Sequence, residues 1–437
     1  MYQAENLVEK WDSILNMDGM PEISNAERKY ATLLVMENQL REMSSDKAVL
    51  MEAAPINNSM ATGGIDRYEP IMLGMVRRSL PNLMPFDVCG VQPMRGPSDI
   101  IFCLRSLYGN ERANAMTRKE ALFNEADTSF SSSKFDQSFN QTPLNGAHTG
   151  SNPVDGAFTT GHGMTTAEGE ALGDALNNQW GQMSFSIDKM SVEAKTRALK
   201  AEYTLELAQD LKTVHGLEAD DLLATILSQE ITFEINREIV RTIYNIAKWG
   251  SPATANPGSF NLDVDANGRW SVERFKGLAF NIQRDANHIA QETRRGRGNV
   301  LICSSDVASA LTLTGVLDPN PALSVDDTGS TYAGNIGKIK VYIDPYSANI
   351  GANSQFYVVG YKGQSSWDAG LYYCPYTMMQ LVRAINPDTL QPKMGYKTRY
   401  GLSQNPFVVG ANGKADGDNL TTNQNFYYHK TRVLNLM

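Results

Sequence analysis

The sequence predicts an α+β chain divided among two or three cores, on three observations. Its 437 residues exceed what one ordinary core organises. A helical pattern runs unbroken from Ala219 to Lys248. Beyond it, apolar runs bounded by turns, such as "NVLICSSD" and "KIKVYI", read as strands between helices.

Composition narrows the function. With 42% hydrophobic and 20% charged residues, the chain is that of a folded soluble protein. A net charge of -9 argues against a task of gripping phosphate backbones. Glu5, Glu9 and Asp12 stand where a secretory signal would be basic and then apolar, so no signal is expected. No apolar run approaches the roughly 18 residues of a membrane span. Cys89, Cys103, Cys303 and Cys374 form no CxxC pair and lie in apolar stretches, which predicts buried, reduced thiols. The five histidines, His148, His162, His215, His288 and His429, are scattered without ligand spacing, so neither metal nor cofactor is expected.

From the N-terminus, Leu7, Trp11, Ile14 and Leu15 form one face of a short helix. A second helix opens at Ser24 with Glu27 at capping-box spacing, turns Tyr30, Leu33, Leu34 and Leu40 inward, and is expected to fade at "SSDK". "AAPINNSMATGGID" from Ala53 has no period and reads as a flexible joint. Pro81, Pro85, Pro93 and Pro97 then impose an extended arm, left by the apolar strand "DIIFCLRSLYG". From Asn110 to Trp180, Ser, Thr, Asn and Gly dominate, and a hairpin stabilised by a neighbouring subunit fits better than a compact domain.

Regular structure returns with the strand "SVEAKTRALKAEYT" and the helix "LELAQDLKTVHG", closed by Gly216. In the long helix, Leu223, Leu227, Ile231, Ile235, Ile239 and Ile243 form one apolar row; Leu222, Ile226, Phe233 and Val240 form another. Glu218, Asp220 and Asp221 suit its positive end and Lys248 its negative end. A later helix, Ser271 to Arg294, places Phe275, Leu278, Ala279, Ile282, Ala286 and Ile289 on one face. "KIKVYI" should point Ile339, Val341 and Ile343 inward and Lys338, Lys340 and Tyr342 outward. "QFYVVGYKG", "GLYYCPYTMMQLV" and "MGYKTRYGLSQNPF" supply further strands.

Catalytic constellations are absent. The chain lacks GxSxG, GxxxxGK[ST] and GxGxxG, and the serines and histidine of "SFSSSKF" and "GHGMTTAEGE" fall in its least ordered stretch. Arg294, Arg295 and Arg297 read as a helix terminus or a subunit contact before a nucleic-acid contact. One pattern does carry chemistry. Leu/Ile-x-Glu triplets occur at Leu7-Val8-Glu9, Leu40-Arg41-Glu42 and Leu50-Met51-Glu52, all in the N-terminal segment. Composition alone explains them equally well, but the last abuts the joint at Ala53, where nicking is physically easiest.

"GMVRRSLPNLMPFDVCGVQPMRGP", followed by "IFCLRSLYG", closely resembles the N-terminal arm of the major capsid proteins of T-even-like tailed bacteriophages. The likeness continues in order through "FSIDKMSVEAKTRALKAEYTLELAQDLKTVHGLEADDLLATILSQEITFEINREIV", "VYIDPY", "VGYKG", "DAGLYYCPY" and "MGYKTRYGLSQNPF". It implies the HK97-type capsid fold, with an N-arm, an extended loop, a peripheral domain with a long spine helix, and an axial domain. On this chain the expected division is a cleaved assembly peptide at 1–52, N-arm at 53–109, extended loop at 110–180, peripheral domain at 181–268, axial domain at 269–382, and a return to the peripheral domain at 383–437.

The resemblance also implies what the chain does. It is expected to be no enzyme but a shell subunit of the virion, assembled in the host cytoplasm into hexameric capsomers and an icosahedral lattice; the alternatives are a capsid vertex protein forming pentamers and an encapsulin-like compartment shell. A prohead protease is expected to cut after Leu50-Met51-Glu52, before Ala53, with Glu9 and Glu42 as further cuts in the discarded peptide. Expected partners are further copies of the chain, a vertex protein, a portal, a scaffolding protein and decoration proteins, around double-stranded DNA held without sequence-specific binding. No membrane partner is expected. T-even relatives carry a larger domain inserted on the extended loop, where this chain has the short polar segment, so contacts made by that insertion are not carried over.

Overall fold

A computed structural model describes residues 8, 10, 11, 23, 25–52, 83–110, 119–122, 125–132, 148–150, 153–154, 158–176, 178–250, 258–266, 268, 270–319, 331–346, 355–385, 391–409 and 420–436. The expected positions Leu7, Ile14, Leu15, Ser24, Ala53 and Pro81, and the joint that follows Ala53, lie outside them. The chain divides into two compact units. The larger comprises Met1–Ile101, Met190–Glu292 and Gly296–Met437; the smaller comprises Phe102–Lys189 and Thr293–Arg295.

In the larger unit, helix α1 spans Ala26–Glu52. Its first turn is capped by Asn25, whose Oδ1 accepts from the Glu27 amide at 3.0 Å. The helix does not fade at Ser44–Lys47: those residues are mediocre helix formers but not breakers, and no Gly or Pro interrupts them. The arm that follows is not loose over its described part. Pro85 opens the four-residue helix α2, Pro85–Val88, where a missing N–H costs nothing. Strand β1, Gly90–Val91, then pairs in parallel with Tyr372 and Tyr373. A Cβ on Gly90 would sit 2.5 Å from the Ser366 carbonyl, so glycine permits that approach. Leu83, Met84, Phe86, Val88, Cys89 and Met94 are buried in the chain's own core. Over its described part, the arm expected to be extended is therefore packed into the chain's own core.

Strands β2, Ser98–Tyr108, and β3, Met183–Glu193, form a two-stranded sheet, so the ribbon flanks the polar stretch at 110–180. Within the smaller unit that stretch holds the short helix α3, Thr166–Glu170, and a bridge from Leu107 to Glu120.

Strand β4, Lys195–Glu202, leads to helix α4, Leu205–Asp210, and a π turn at Leu211–His215. Gly216 closes the turn in the left-handed region at φ 66. The spine helix α5 spans Ala219–Ile246, 28 residues and about 42 Å. Leu227, Ile231, Ile235, Ile239 and Ile243 are buried as the first row predicts, while Leu222 and Ile226 of the second row are exposed. Lys248 lies beyond the helix, in strand β5, Ala247–Trp249, where it meets Glu292 rather than the helix terminus.

Strand β6, Ser259–Asn261, precedes helix α6, Ser271–Thr293, whose Leu278, Ala279, Ile282, Ala286 and Ile289 are buried as expected. Then follow β7, Val300–Ser304, helix α7, Ser305–Leu313, and strands β8, Asp318–Pro319, β9, Thr331–Ile336, and β10, Ile339–Asp344. Strands β11, Gln355–Gly360, β12, Leu371–Ile385, and β13, Pro392–Gln404, helix α8, Pro406–Val409, and β14, Asn425–Leu434, complete the chain.

Two sheets organise the larger unit. One has four strands in the order β1-β12-β13-β4. The other has eight, in the order β5-β14-β11-β7-β10-β9-β8, with β6 paired to β14. Two expectations change here. The boundary at 382/383 falls inside β12, which pairs with β13 along its length, and β14 joins the sheet of β7, β10 and β11. Tyr342 is buried, as is Asp344 on the same face, while Lys340 at the start of that face is exposed, so the covering reaches only part of the strand.

Candidate functional site

Leu50, Met51 and Glu52 form the last turn of α1; their side chains, and the whole of Ala53, lie outside the described residues. The predicted cut thus falls where a helix ends and frays most readily. Upstream, α1 is built into the larger unit. Leu33, Val35 and Met36 are within 1% of full burial. Asn38, also buried, donates through Nδ2 to the carbonyls of Met94 at 2.6 Å and Tyr376 at 3.2 Å. Arg28 pairs with Asp87 at 2.6 Å, and Lys340 reaches the same carboxylate oxygen at 3.1 Å. Burial works to raise the Asp87 carboxyl, but these two cations hold it below its ordinary value. A cut after Glu52 would therefore leave a peptide still held by packing and hydrogen bonds.

The spine helix is tied to both sheets. Arg197 on β4 pairs with Glu234 at 2.9 Å and Glu238 at 2.6 Å, and its Nε donates to the Tyr400 hydroxyl on β13 at 2.5 Å. Tyr400 in turn donates to Glu238. Three and ten residues along α5 from the first of these glutamates, Arg237 and Tyr244 reach the other sheet, where both bond Asp344 at the end of β10.

The smaller unit brings together a serine, an aspartate and a histidine, but not as a catalytic triad. The Ser129 hydroxyl donates to Asp127 at 2.5 Å, and the Ser129 amide donates to the same oxygen at 3.0 Å. His148 Nδ1 accepts from the Thr128 amide at 3.1 Å. A triad needs the serine proton aimed at the histidine, with the carboxylate behind the ring; here the serine is buried and bonded to the carboxylate. The arrangement is a turn. Arg295 is likewise engaged, 4% exposed and 2.7 Å from Glu120. All four cysteines are free and buried, and burial pushes the Cys89 and Cys303 thiols up to about 12. No described helix is long and apolar enough to cross a membrane.

One grouping escapes the sequence pattern. His288 and Glu292 on α6 meet His429 on β14, so two of the histidines that read as scattered share one place. The rings of His288 and His429 lie edge to face with centroids 5.0 Å apart. Burial chiefly pushes His288 below its ordinary value. It works to raise Glu292, yet hydrogen bonds from His429 and Lys248 hold that carboxyl at about 2. The helical i, i+4 spacing of His288 and Glu292 is legible in sequence; the arrival of His429, 137 residues after Glu292, is not.

Comparison with known proteins places this architecture. A family model described as major capsid protein Gp23 matches residues 65–433. The major capsid protein of Vibrio phage KVP40 is 35% identical, with 92% of this chain and 93% of that one covered. That of Enterobacteria phage T4 is 34% identical, covering 93% and 92%. The T4 capsid vertex protein is 25% identical, over 53% of this chain and 55% of its own. Among solved structures, the chain is similar to the capsid of Myoviridae phage XM1 at 6% identity and a TM-score of 0.39, with 79% of this chain and 90% of that one covered. With a family match across most of its length and relatives above 30% identity along nearly all of it, the chain belongs to the major capsid protein Gp23 family.

Proposed function

We propose that the chain is the shell subunit of a tailed-phage head, forming hexamers in an icosahedral lattice around double-stranded DNA and matured by a cut after Glu52. The observation that carries this reading is the ribbon. Ile100, Phe102 and Leu104 on β2 are exposed, as are Met183, Phe185 and Ile187 on β3. Six large apolar side chains on one ribbon, left in solvent, are a cost that a free monomer has no reason to bear. Further copies of the chain, packed on the ribbon, cover them. Exposed Leu222 and Ile226 on the spine helix add a second such surface.

The HK97-type arrangement assigns parts to the described elements. The ribbon and polar stretch serve as the extended loop, α5 as the spine, and the sheet of β7, β10 and β11 as the axial domain. Residues 1–52 carry ten Asp and Glu against five Lys and Arg, so their removal takes away five of the nine net negative charges. The cut severs the acidic peptide from the subunit, and its later release takes α1 out of the core, clears the interior and frees the subunit to rearrange. A scaffolding protein, prohead protease, portal and vertex protein complete the assembly. The vertex reading of this chain is disfavoured by the lower identity and coverage of the vertex relative. The match to the T4 shell protein runs over 486 positions while using 93% of a 437-residue chain, so that relative carries sequence absent here.

The test is the intact mass of this chain recovered from fast-sedimenting particles. A mass starting at Ala53 is expected. Full-length chain in closed particles would remove the processing step and keep the shell; failure to form particles with scaffold present would sink both.

A further inference from the structure

His288 and Glu292 stand one turn apart on α6, and His429 reaches them from β14. One ligand atom from each lies within 4.8 Å of the other two. His429 Nε2 is 3.1 Å from Glu292 Oε2, and His288 Nδ1 is 3.8 Å from Glu292 Oε1. A tetrahedral zinc ion bonded at about 2.0–2.1 Å sets its ligand atoms about 3.4 Å apart. The two observed distances, one to each Glu292 oxygen, lie within about 0.5 Å of that spacing.

As a mere ion-pair cluster the group is incompletely satisfied. His288 Nδ1 is buried without a hydrogen-bond partner, which is a cost a metal bond removes. A cation already occupies part of the space: Lys248 Nζ lies 2.6 Å from Glu292 Oε1. Its side chain is 44% exposed, so it can swing into water. Two imidazoles and a carboxylate are a donor set that suits zinc and its transition-metal neighbours rather than magnesium or calcium. His429 is wholly buried, while His288 and Glu292 are 20% and 23% exposed, so the cluster borders solvent on the helix side.

We propose that His288, Glu292 and His429 bind a zinc-class divalent ion, which displaces Lys248 from Glu292. The ion would join the end of α6 to β14, the strand that also pairs with β5 directly after the spine helix. The site stands on these residues alone and does not rest on the capsid reading.

The test uses the full-length chain stripped with EDTA, titrated with zinc chloride by calorimetry and followed by thermal unfolding. One zinc per chain is expected, with a rise in Tm of about 3 °C at a hundredfold excess over Kd. Magnesium should give neither. His288→Ala, on a part-exposed helix position, should weaken zinc binding about tenfold or more, and His429→Gln should do the same if it folds. Lys248→Ala should tighten binding, because the competing ammonium is gone. No stoichiometric zinc, or unchanged affinity in His288→Ala, would overturn the site. Unchanged or weaker affinity in Lys248→Ala would overturn the displacement.

Discussion

Nη1 of Arg237 donates to both carboxylate oxygens of Asp344, at 2.7 and 2.8 Å, and the Asp344 side chain is wholly buried. Tyr244, two turns along the same helix, donates to the same carboxylate at 2.8 Å, and the Tyr346 amide donates at 3.0 Å. The spine helix and β10 thus share one neutralised charge. Burial, then the nearby carboxylate, raises the Tyr244 hydroxyl above its ordinary value, so it remains a donor at any working pH.

Removing the cation should be costly because the carboxylate stays behind. Arg237→Ala is expected to destabilise the folded chain by about 3–5 kcal/mol. Adding Asp344→Asn should recover part of that loss by removing the orphaned charge. Urea denaturation of the single and double variants measures both; an Arg237→Ala chain as stable as the parent would show the pair to be energetically idle.

The hold on the N-terminal helix can be probed at Asn38. Its replacement by Ala leaves the buried carbonyls of Met94 and Tyr376 without this donor, a loss of about 1–3 kcal/mol. In particles cut after Glu52, the freed peptide should then leave faster than in the parent. Co-sedimentation of peptide with particles over time reports the difference, and equal retention would mean that Asn38 does not hold it.

The proposed processing is expected to depend on one side chain. Glu52→Gln should yield particles whose chain retains residues 1–52, whereas Glu42→Gln should still give a chain beginning at Ala53. Mass spectrometry of purified heads distinguishes them. An Ala53 terminus in the Glu52→Gln particles would place recognition elsewhere.

Acid should loosen the contact between α1 and α2. The folded Asp87 carboxyl lies below its ordinary value of 3.8, so its ion pairs add stability that is present above that pH. The contribution is lost as pH falls below 3.8 through the lowered folded value. Asp87→Asn should therefore show a flatter decline in stability below about pH 4 than the parent. Parallel acid limbs in the two chains, followed by denaturant midpoint against pH, would contradict the assignment.

Much of the fold was legible in local pattern. The row from Leu227 to Ile243 repeats every fourth residue, and a helix face needs no tertiary information to be recognised. Gly216 and the buried face of α6 were readable for similar reasons. Lys248 was misplaced because the pattern ran smoothly past Ile246, and the pull of strand pairing with β14 on Ala247–Trp249 is not local. Tyr342 departs from the alternation because the pattern tells which residues share a face but not how far along that face the covering reaches. The triplet at Leu50–Glu52 was visible as spelling, while the packing of the helix that carries it was not.

By itself the sequence determined the period of each element, the acidic balance, the Leu-x-Glu triplets and the family resemblance, because each is carried by neighbouring residues or by their order. Only the tertiary structure decided that α1 enters the core, that Arg237 finds Asp344, and that His429 meets His288 and Glu292. Those partners are separated by tens to hundreds of positions. Their meeting is set by sheet order and helix packing, which local chemistry permits but does not specify.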